Sequence, residues 1–228
     1  MIKTIKRILC WIVGAFFAST ILCVVAYRFI PVYYTPLMFI RLAEQMSSDE
    51  YEVKLHHKWV SLDEMSKYMP VAVMASEDQL FLDHHGFDYD AMTKAVERNK
   101  KGKKIYGAST ITQQTAKNVF LWPGRSWTRK GFEVYFTVLI ECLWGKERIM
   151  EVYLNSIEMG NGIYGVEAVA KDHFDKTASE LSRSECAQIA ATLPNPRKFS
   201  SKNPSPYMQK RRRWIENQMK HIDLFSPH

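Results

Sequence analysis

From Ile8 to Tyr27 the chain carries no charged side chain. At about 1.5 Å per helical residue such a run covers the roughly 30 Å of hydrocarbon in a bilayer. It reads either as a secretory leader, whose apolar core is usually about 7 to 15 residues, or as an uncleaved anchor. Its length favours an anchor over residues 8–28. Lys3, Lys6 and Arg7 precede the run and only Arg28 follows closely. The positive-inside rule therefore keeps residues 1–7 in the cytoplasm and sends the remainder across the membrane.

The 228 residues allow one or at most two domains. With 46% hydrophobic and 24% charged residues, disorder throughout and a many-span membrane protein are both excluded. The net charge of +7 is uneven: residues 1–27 carry +3, residues 197–228 carry +6, and the body between them carries −2. Within that acidic body, Lys94 to Lys130 holds ten bases and one acid, between flanks of −6 and −5. Cys10 and Cys23 fall in the apolar run, and Cys142 and Cys186 in helical patterns. A bond between the last two suits an oxidising compartment, but two buried free thiols are the preferred reading. No cysteine and histidine spacing resembles a zinc site.

Residues 29–58 form a membrane-proximal segment. In it Val32-Tyr33-Tyr34 and Leu37-Met38-Phe39-Ile40 suit either an interfacial foot or a first core helix. Ser61-x-x-Glu64 predicts a capping box opening a helical pattern broken near Pro70 and resumed through Val71, Val73 and Met74. Further helices are predicted over Asp90–Asn99, Thr110–Phe120, Thr128–Trp144, Lys146–Leu154, Gly165–Phe174 and Ser184–Leu193. In the third of these Phe132, Tyr135, Phe136, Leu139 and Leu143 make a stripe expected to be buried. Lys100 to Lys104 reads as a solvated loop. Only Tyr51–Leu55 and Trp59-Val60 look strand-like. The expected architecture is a mainly α domain over 59–200 on a single N-terminal transmembrane helix, with Pro194-Asn195-Pro196 ending the compact body and 201–228 a basic C-terminal helix or tail.

Three clusters offer chemistry. Glu77-Asp78 ends an apolar helix, and a carboxylate emerging from such a helix into a cleft suits a general acid or base. Gly107 to Asn118 leads small and hydroxyl residues into a helix whose N-terminus can meet an anion, with Gln113, Gln114 and Lys117 one turn on. Arg125, Arg129 and Lys130 place cations at another helix N-terminus, against the macrodipole, which points to an anionic partner or to an ion pair.

In combination these clusters resemble the peptidoglycan glycosyltransferases, the lysozyme-like family that polymerises lipid II, and in particular the monofunctional biosynthetic transglycosylases. The likeness runs from about Trp59 to Pro196. It includes Glu77-Asp78-x-x-Phe81-x-x-His84-x-Gly86-x-Asp88, Gly107-x-Ser109-Thr110-Ile111-Thr112-Gln113-Gln114-x-x-Lys117-Asn118, Arg129-Lys130-x-x-Glu133 and Arg148-Ile149-x-Glu151-x-Tyr153-Leu154-Asn155. His173-Phe174 stands where relatives usually have Tyr-Phe, an expected packing variation. The resemblance implies a lysozyme-like glycosyltransferase fold and inverting transfer of a lipid-linked glycan to the GlcNAc 4-hydroxyl of lipid II.

By the same resemblance Glu77 is the base. Glu133 is the second essential carboxylate, which would orient donor-site groups or help hold a divalent Mg or Mn ion beside the pyrophosphate. Lys117, Arg125, Arg129 and Lys130 would stabilise the phosphates, with Ser109, Gln113 and Gln114 adding hydrogen bonds. Asp78, Phe81, His84, Asp88 and Asn118 are expected in support, and Glu151, Tyr153 and Asn155 in structure. Expected partners are lipid II, the growing glycan, the membrane and cell-wall synthesis or division proteins, with no nucleic acid. The expected location is the bacterial inner membrane with the catalytic domain periplasmic. A lysozyme-like hydrolase is the nearest rival, and a non-catalytic cell-wall scaffold a second. Neither Ser-x-x-Lys nor Lys-Thr-Gly occurs, so no transpeptidase is expected.

Overall fold

The computed structural model describes residues 2–48, 52–102, 107–124 and 126–225. Helix α1 (Ile2–Tyr27) is the apolar run, with mean hydropathy 2.5 over its most apolar window, and Trp11 and Leu22 are about 70% exposed. So bare an apolar surface needs lipid around it. Only the last turns of α1 are covered, by α6 (Trp127–Leu143) and the start of α7 (Lys146–Ser156). Phe16 packs on Phe132, Thr20 Oγ1 lies 2.8 Å from Tyr135 OH, and Trp144 Nε1 donates to the Val24 carbonyl at 2.8 Å. Arg148 donates to the carbonyls of Tyr27 and Ile30, satisfying acceptors that a helix end leaves without partners. A helix tied this closely to the body fits a single-pass anchor rather than a segment removed by cleavage.

The predicted stripe of α6 therefore divides. Phe136 is buried with Glu133, Thr137 and Ile140, whereas Phe132 and Tyr135 turn toward α1. The membrane-proximal stretch divides too. Thr35 caps α2 (Pro36–Met46), which buries Leu37 and Met38, while Tyr33, Tyr34 and Phe39 stay exposed. Cys186 is buried, its thiol pushed up to about 12 by desolvation, but Cys142 is exposed, contrary to the expectation for both.

The core is built on α3 (Tyr68–Glu77), in which every residue from Met69 to Ala75 is buried. Pro70 does not break it, because it sits in the first turn, where a helix has no use for the missing N–H. The Ser61–Glu64 capping box closes a 3-10 turn at Leu62–Glu64 instead of opening this helix. Helix α4 (Tyr89–Lys101) lies on the surface with no buried residue and takes in Lys100 and Lys101, which the sequence placed in a loop. Helix α5 (Ile111–Phe120) packs on α6 and α7, α8 (Val166–Phe174) follows a small sheet, and α9 (Arg183–Ala190) lies along α3.

The strand falls on His56–His57 (β1), just after one expected stretch. β1 runs parallel to β3 (Ile163–Tyr164), which pairs antiparallel with β2 (Glu158–Gly160). Neither β2 nor β3 has the length to show in a hydrophobic pattern. Asn155, fully buried, ties this region together: its amide brackets the Val60 backbone through Oδ1 at 3.0 Å and Nδ2 at 2.9 Å. His173, in the atypical pair, is hydrogen-bonded through Nδ1 to Ser201 Oγ at 2.6 Å. The compact body continues beyond Pro196: α10 (Pro206–Gln218) buries Met208 and Ile215 against α9 and α3.

Candidate active site

Apolar burial drives α3 through the core and leaves its last residue, Glu77, half-buried where the helix meets the surface. Glu77 Oε1 accepts from Ser76 Oγ at 2.7 Å, and Oε2 accepts from Gln114 Nε2 at 3.3 Å. Gln114 Oε1 in turn accepts from the hydroxyl of Tyr153 at 3.1 Å. Tyr153 is wholly buried, and desolvation, then the charges of Glu77 and Asp78, hold that hydroxyl well above its ordinary range. It stays a proton donor, so the amide of Gln114 is oriented with its nitrogen toward Glu77.

Asp78 follows and is buried. It accepts from the Ile111 N–H at 2.9 Å and meets His84 Nε2 at 2.9 Å. Burial raises its carboxyl above the usual range, opposed by the Ile111 N–H, His84 and Lys146. This one side chain thus locks the end of α3 to the start of α5. Thr110 completes the lock: it caps α5, forms a capping box with Gln113, and donates to the Gly86 carbonyl at 2.7 Å. Gly86 has φ +85°, and a Cβ there would lie 2.9 Å from Glu141 and Thr137 on α6. Phe81 is fully buried, with Lys146 Nζ 4.7 Å from its ring centroid. Asp88 caps α4 through the Ala91 N–H. Phe81, His84 and Asp88 hold the loop after α3.

The second carboxylate, Glu133, is buried on α6 between Arg129, whose Nη1 donates to Oε2 at 2.7 Å, and Lys130, paired to Oε1. The two cations at this helix start are therefore anchored one turn downstream, which offsets the unfavourable macrodipole. Lys117, at the end of α5, belongs to the same electrostatic group. Desolvation holds its ammonium below the usual lysine range, Glu133 pulling it up and Arg129 and Lys130 pushing it down. Three cations about one carboxylate leave a net positive wall. The basic island itself divides: Lys94, Arg98, Lys100 and Lys101 are exposed on α4, whereas Lys117, Arg129 and Lys130 converge. Arg125 lies outside the described residues.

Two hollows flank the Glu77–Gln114 contact. One, about 330 Å³, is lined by Glu77, Asp78, Asp88, Ser109 and Trp214. The other, about 500 Å³, is lined by Gln114, Lys117, Asn118, Arg129, Arg41 and Glu158. Ser109, expected beside the phosphates with Lys117 and Arg129, is exposed in the first hollow instead, and the buried Asn118 borders the second. Gln113 does not face either: it is buried, with its carbonyl oxygen spent on the Thr110 N–H. Arg41, Glu158 and Trp214 were absent from the sequence reading. They reach the hollows from α2, β2 and α10, and no local pattern marks them.

The family model described as Transglycosylase matches residues 44–220. The chain belongs to that family. It is 58% identical over 212 residues to a biosynthetic peptidoglycan transglycosylase of Bacteroides thetaiotaomicron, covering 93% of this chain and 85% of the relative. Relatives of the same name from Bdellovibrio bacteriovorus and Caulobacter vibrioides are 52% and 50% identical, over 92% and 87% of this chain and 84% and 83% of theirs.

A divalent ion held by the protein does not fit this transglycosylase site. Both oxygens of Glu133 are taken by cations, and among the described residues no three His, Cys, Asp or Glu side chains converge. Magnesium can bind through one or two carboxylates plus substrate phosphates, so an ion here would have to arrive on the phosphates.

Proposed function

We propose that this protein polymerises lipid II into β-1,4-linked glycan, with inversion at the donor anomeric carbon and release of undecaprenyl pyrophosphate. The observation that carries the reading is the pair of hollows meeting at Glu77 and Gln114, one beside a clamped carboxylate and the other walled by Lys117 and Arg129. The acceptor lies in the first hollow. Its 4-hydroxyl oxygen attacks the anomeric carbon of the donor sugar as Glu77 takes the hydroxyl proton. The bond from that carbon to the phosphate oxygen breaks, and its electron pair leaves with the pyrophosphate into the second hollow. There Lys117 and Arg129 meet the growing charge with Lys130 behind them, Arg129 and Lys130 being fixed in advance by Glu133 so that little reorganisation is needed.

The lipid-linked substrate explains the anchor. Lys3, Lys6 and Arg7 orient α1 with its N-terminus in the cytoplasm and the domain outside, periplasmic in a two-membrane cell. Because α6 touches α1 as far up as Phe16, its exposed Trp127, Val134 and Val138 enter the outer leaflet, and Tyr33, Tyr34 and Phe39 flank it at the interface. The donor and acceptor then reach the cleft without leaving the bilayer.

A hydrolase would use the same two carboxylates on water, but the cationic wall has no purpose there. Purified protein in detergent should convert lipid II to polymer, and Glu77→Gln should abolish the product without altering the melting temperature. Cleavage of finished peptidoglycan with no polymer from lipid II would overturn the reading, as would full activity in Glu77→Gln.

A further inference from the structure

Glu77 has a second partner, from a segment whose sequence reads as a basic tail. Arg211 Nη2 on α10 donates to Ser76 Oγ at 3.0 Å and lies 3.4 Å from Glu77 Oε1, the oxygen that also accepts from Ser76. Helix α10, which carries the guanidinium, is itself held in place. Arg212 Nη1 donates to Ser184 Oγ at 2.7 Å, Arg183 donates to the Glu216 carbonyl, and Gln79 Nε2 meets Gln218 Oε1 at 3.3 Å. With Met208 and Ile215 in the core, α10 cannot slide without carrying these contacts along.

The placement has a cost. Arg211 Nε is buried with no partner among the described residues, and leaving a buried donor orphaned opposes folding. A lysine or an apolar residue would avoid that cost if α10 needed only to pack. The neighbouring bases point elsewhere: Arg212, whose Nε is likewise without a partner among the described residues, is spent on α9, and Arg213 is exposed. Of the three consecutive arginines, Arg211 alone reaches the carboxylate that ends α3.

We propose that Arg211 is a positioning residue for Glu77, a role that rests on Glu77 being the base. Gln114 holds one oxygen, and Ser76 with Arg211 holds the other. The carboxylate is thereby fixed in the rotamer that faces the acceptor hollow, and its charge is balanced until the hydroxyl proton arrives. Ser76 then remains as a partner for the guanidinium. The catalytic unit accordingly extends to α10, whose Trp214 also lines that hollow.

The test uses the full chain in detergent with Arg211→Ala, Arg211→Lys and, as a control on the same helix, Arg213→Ala. Polymerisation of lipid II by Arg211→Ala should show kcat lowered about 10- to 100-fold, as expected for a misplaced base, with KM within about twofold. Added guanidinium should restore part of the rate in Arg211→Ala and none in Glu77→Gln. A second readout needs no activity: carbodiimide coupling of glycine ethyl ester, mapped by peptide mass spectrometry, should label Glu77 several-fold faster in Arg211→Ala while exposed Glu97 is unchanged. Arg211→Lys should fall between, and it decides the matter if the alanine variant does not fold. Wild-type labelling and wild-type kcat in the folded variants, or a lowered kcat with no guanidinium rescue and unchanged labelling, would overturn the role of Arg211. Failure of the wild type to make polymer would instead sink the functional reading, and the labelling would still decide the pairing.

Discussion

Replacing Asp78 separates the structural lock from the chemistry beside it. The carboxylate accepts the Ile111 N–H at 2.9 Å and pairs with His84 Nε2, all within the buried junction of α3 and α5. Alanine would leave the Ile111 N–H and the imidazole without their acceptor. Hydrogen bonds to a charged group contribute about 1.5–3 kcal/mol each, and breaking a buried pair from one side costs about 3–5 kcal/mol. Asp78→Ala should therefore lower stability by about 3–5 kcal/mol, or about 6–20 °C in a domain of this size.

Asp78→Asn should be much milder, about 1–2 kcal/mol, the value of one ordinary hydrogen bond. Its amide oxygen can keep the Ile111 N–H. Its nitrogen can face His84 only if the imidazole proton moves to Nδ1, which is buried and has no partner among the described residues. The sign of the pH dependence follows from burial. The carboxyl is raised in the folded state, so the native protein binds the proton more tightly than the unfolded chain. Its contribution to stability is full below the ordinary aspartate value near 3.8 and is lost as pH rises through the raised one. Asparagine mimics the protonated form and should remove this component. Melting followed by circular dichroism in detergent at several pH values measures both effects. Equal losses for alanine and asparagine, or a loss below 1 kcal/mol for alanine, would refute the reasoning.

Two other substitutions test the site and its frame. Lys117 is held below its usual range by burial, so the folded state binds that proton less tightly, and its charge opposes folding until pH rises from the depressed value toward 10.5. Lys117→Met should keep or raise the melting temperature near pH 7, an advantage that shrinks in alkali, while polymerisation falls about 100-fold or more; a lowered melting temperature would contradict this. Gly165, at φ +80° and ψ 165°, would bring an added Cβ within 2.6 Å of the Asn155 carbonyl. Gly165→Ala should cost about 1–3 kcal/mol of backbone strain and about 1–3 kcal/mol of displacement. The expected result is poor expression or a sharply lower melting temperature, and wild-type melting would refute it.

Glu77 and the cations Arg129 and Lys130 were readable because they sit at helix ends, where short motifs carry caps and charge, whereas Glu133, inside α6, was singled out only by the family resemblance. Glu77 closes an apolar run, Thr110 and Gln113 form a capping box, and Arg129 and Lys130 stand four and three residues before Glu133. The same local reading misjudged Gln113, whose amide serves the cap, and the stripe of α6, where one face meets the core and another the anchor. It also ended the body too early, because a basic surface on α10 hides two buried apolar residues, Met208 and Ile215.

What the sequence by itself determined was therefore the anchor, the helical class and the residues beside the chemistry, all properties of segments a few turns long. Which side chains surround Glu77 was decided only by tertiary packing. Gln114 is 37 positions away and Arg211 is 134 positions away. No periodicity relates residues at such separations; packing of α3 against α9 and α10, with its C-terminal end on α5, brings them to one carboxylate.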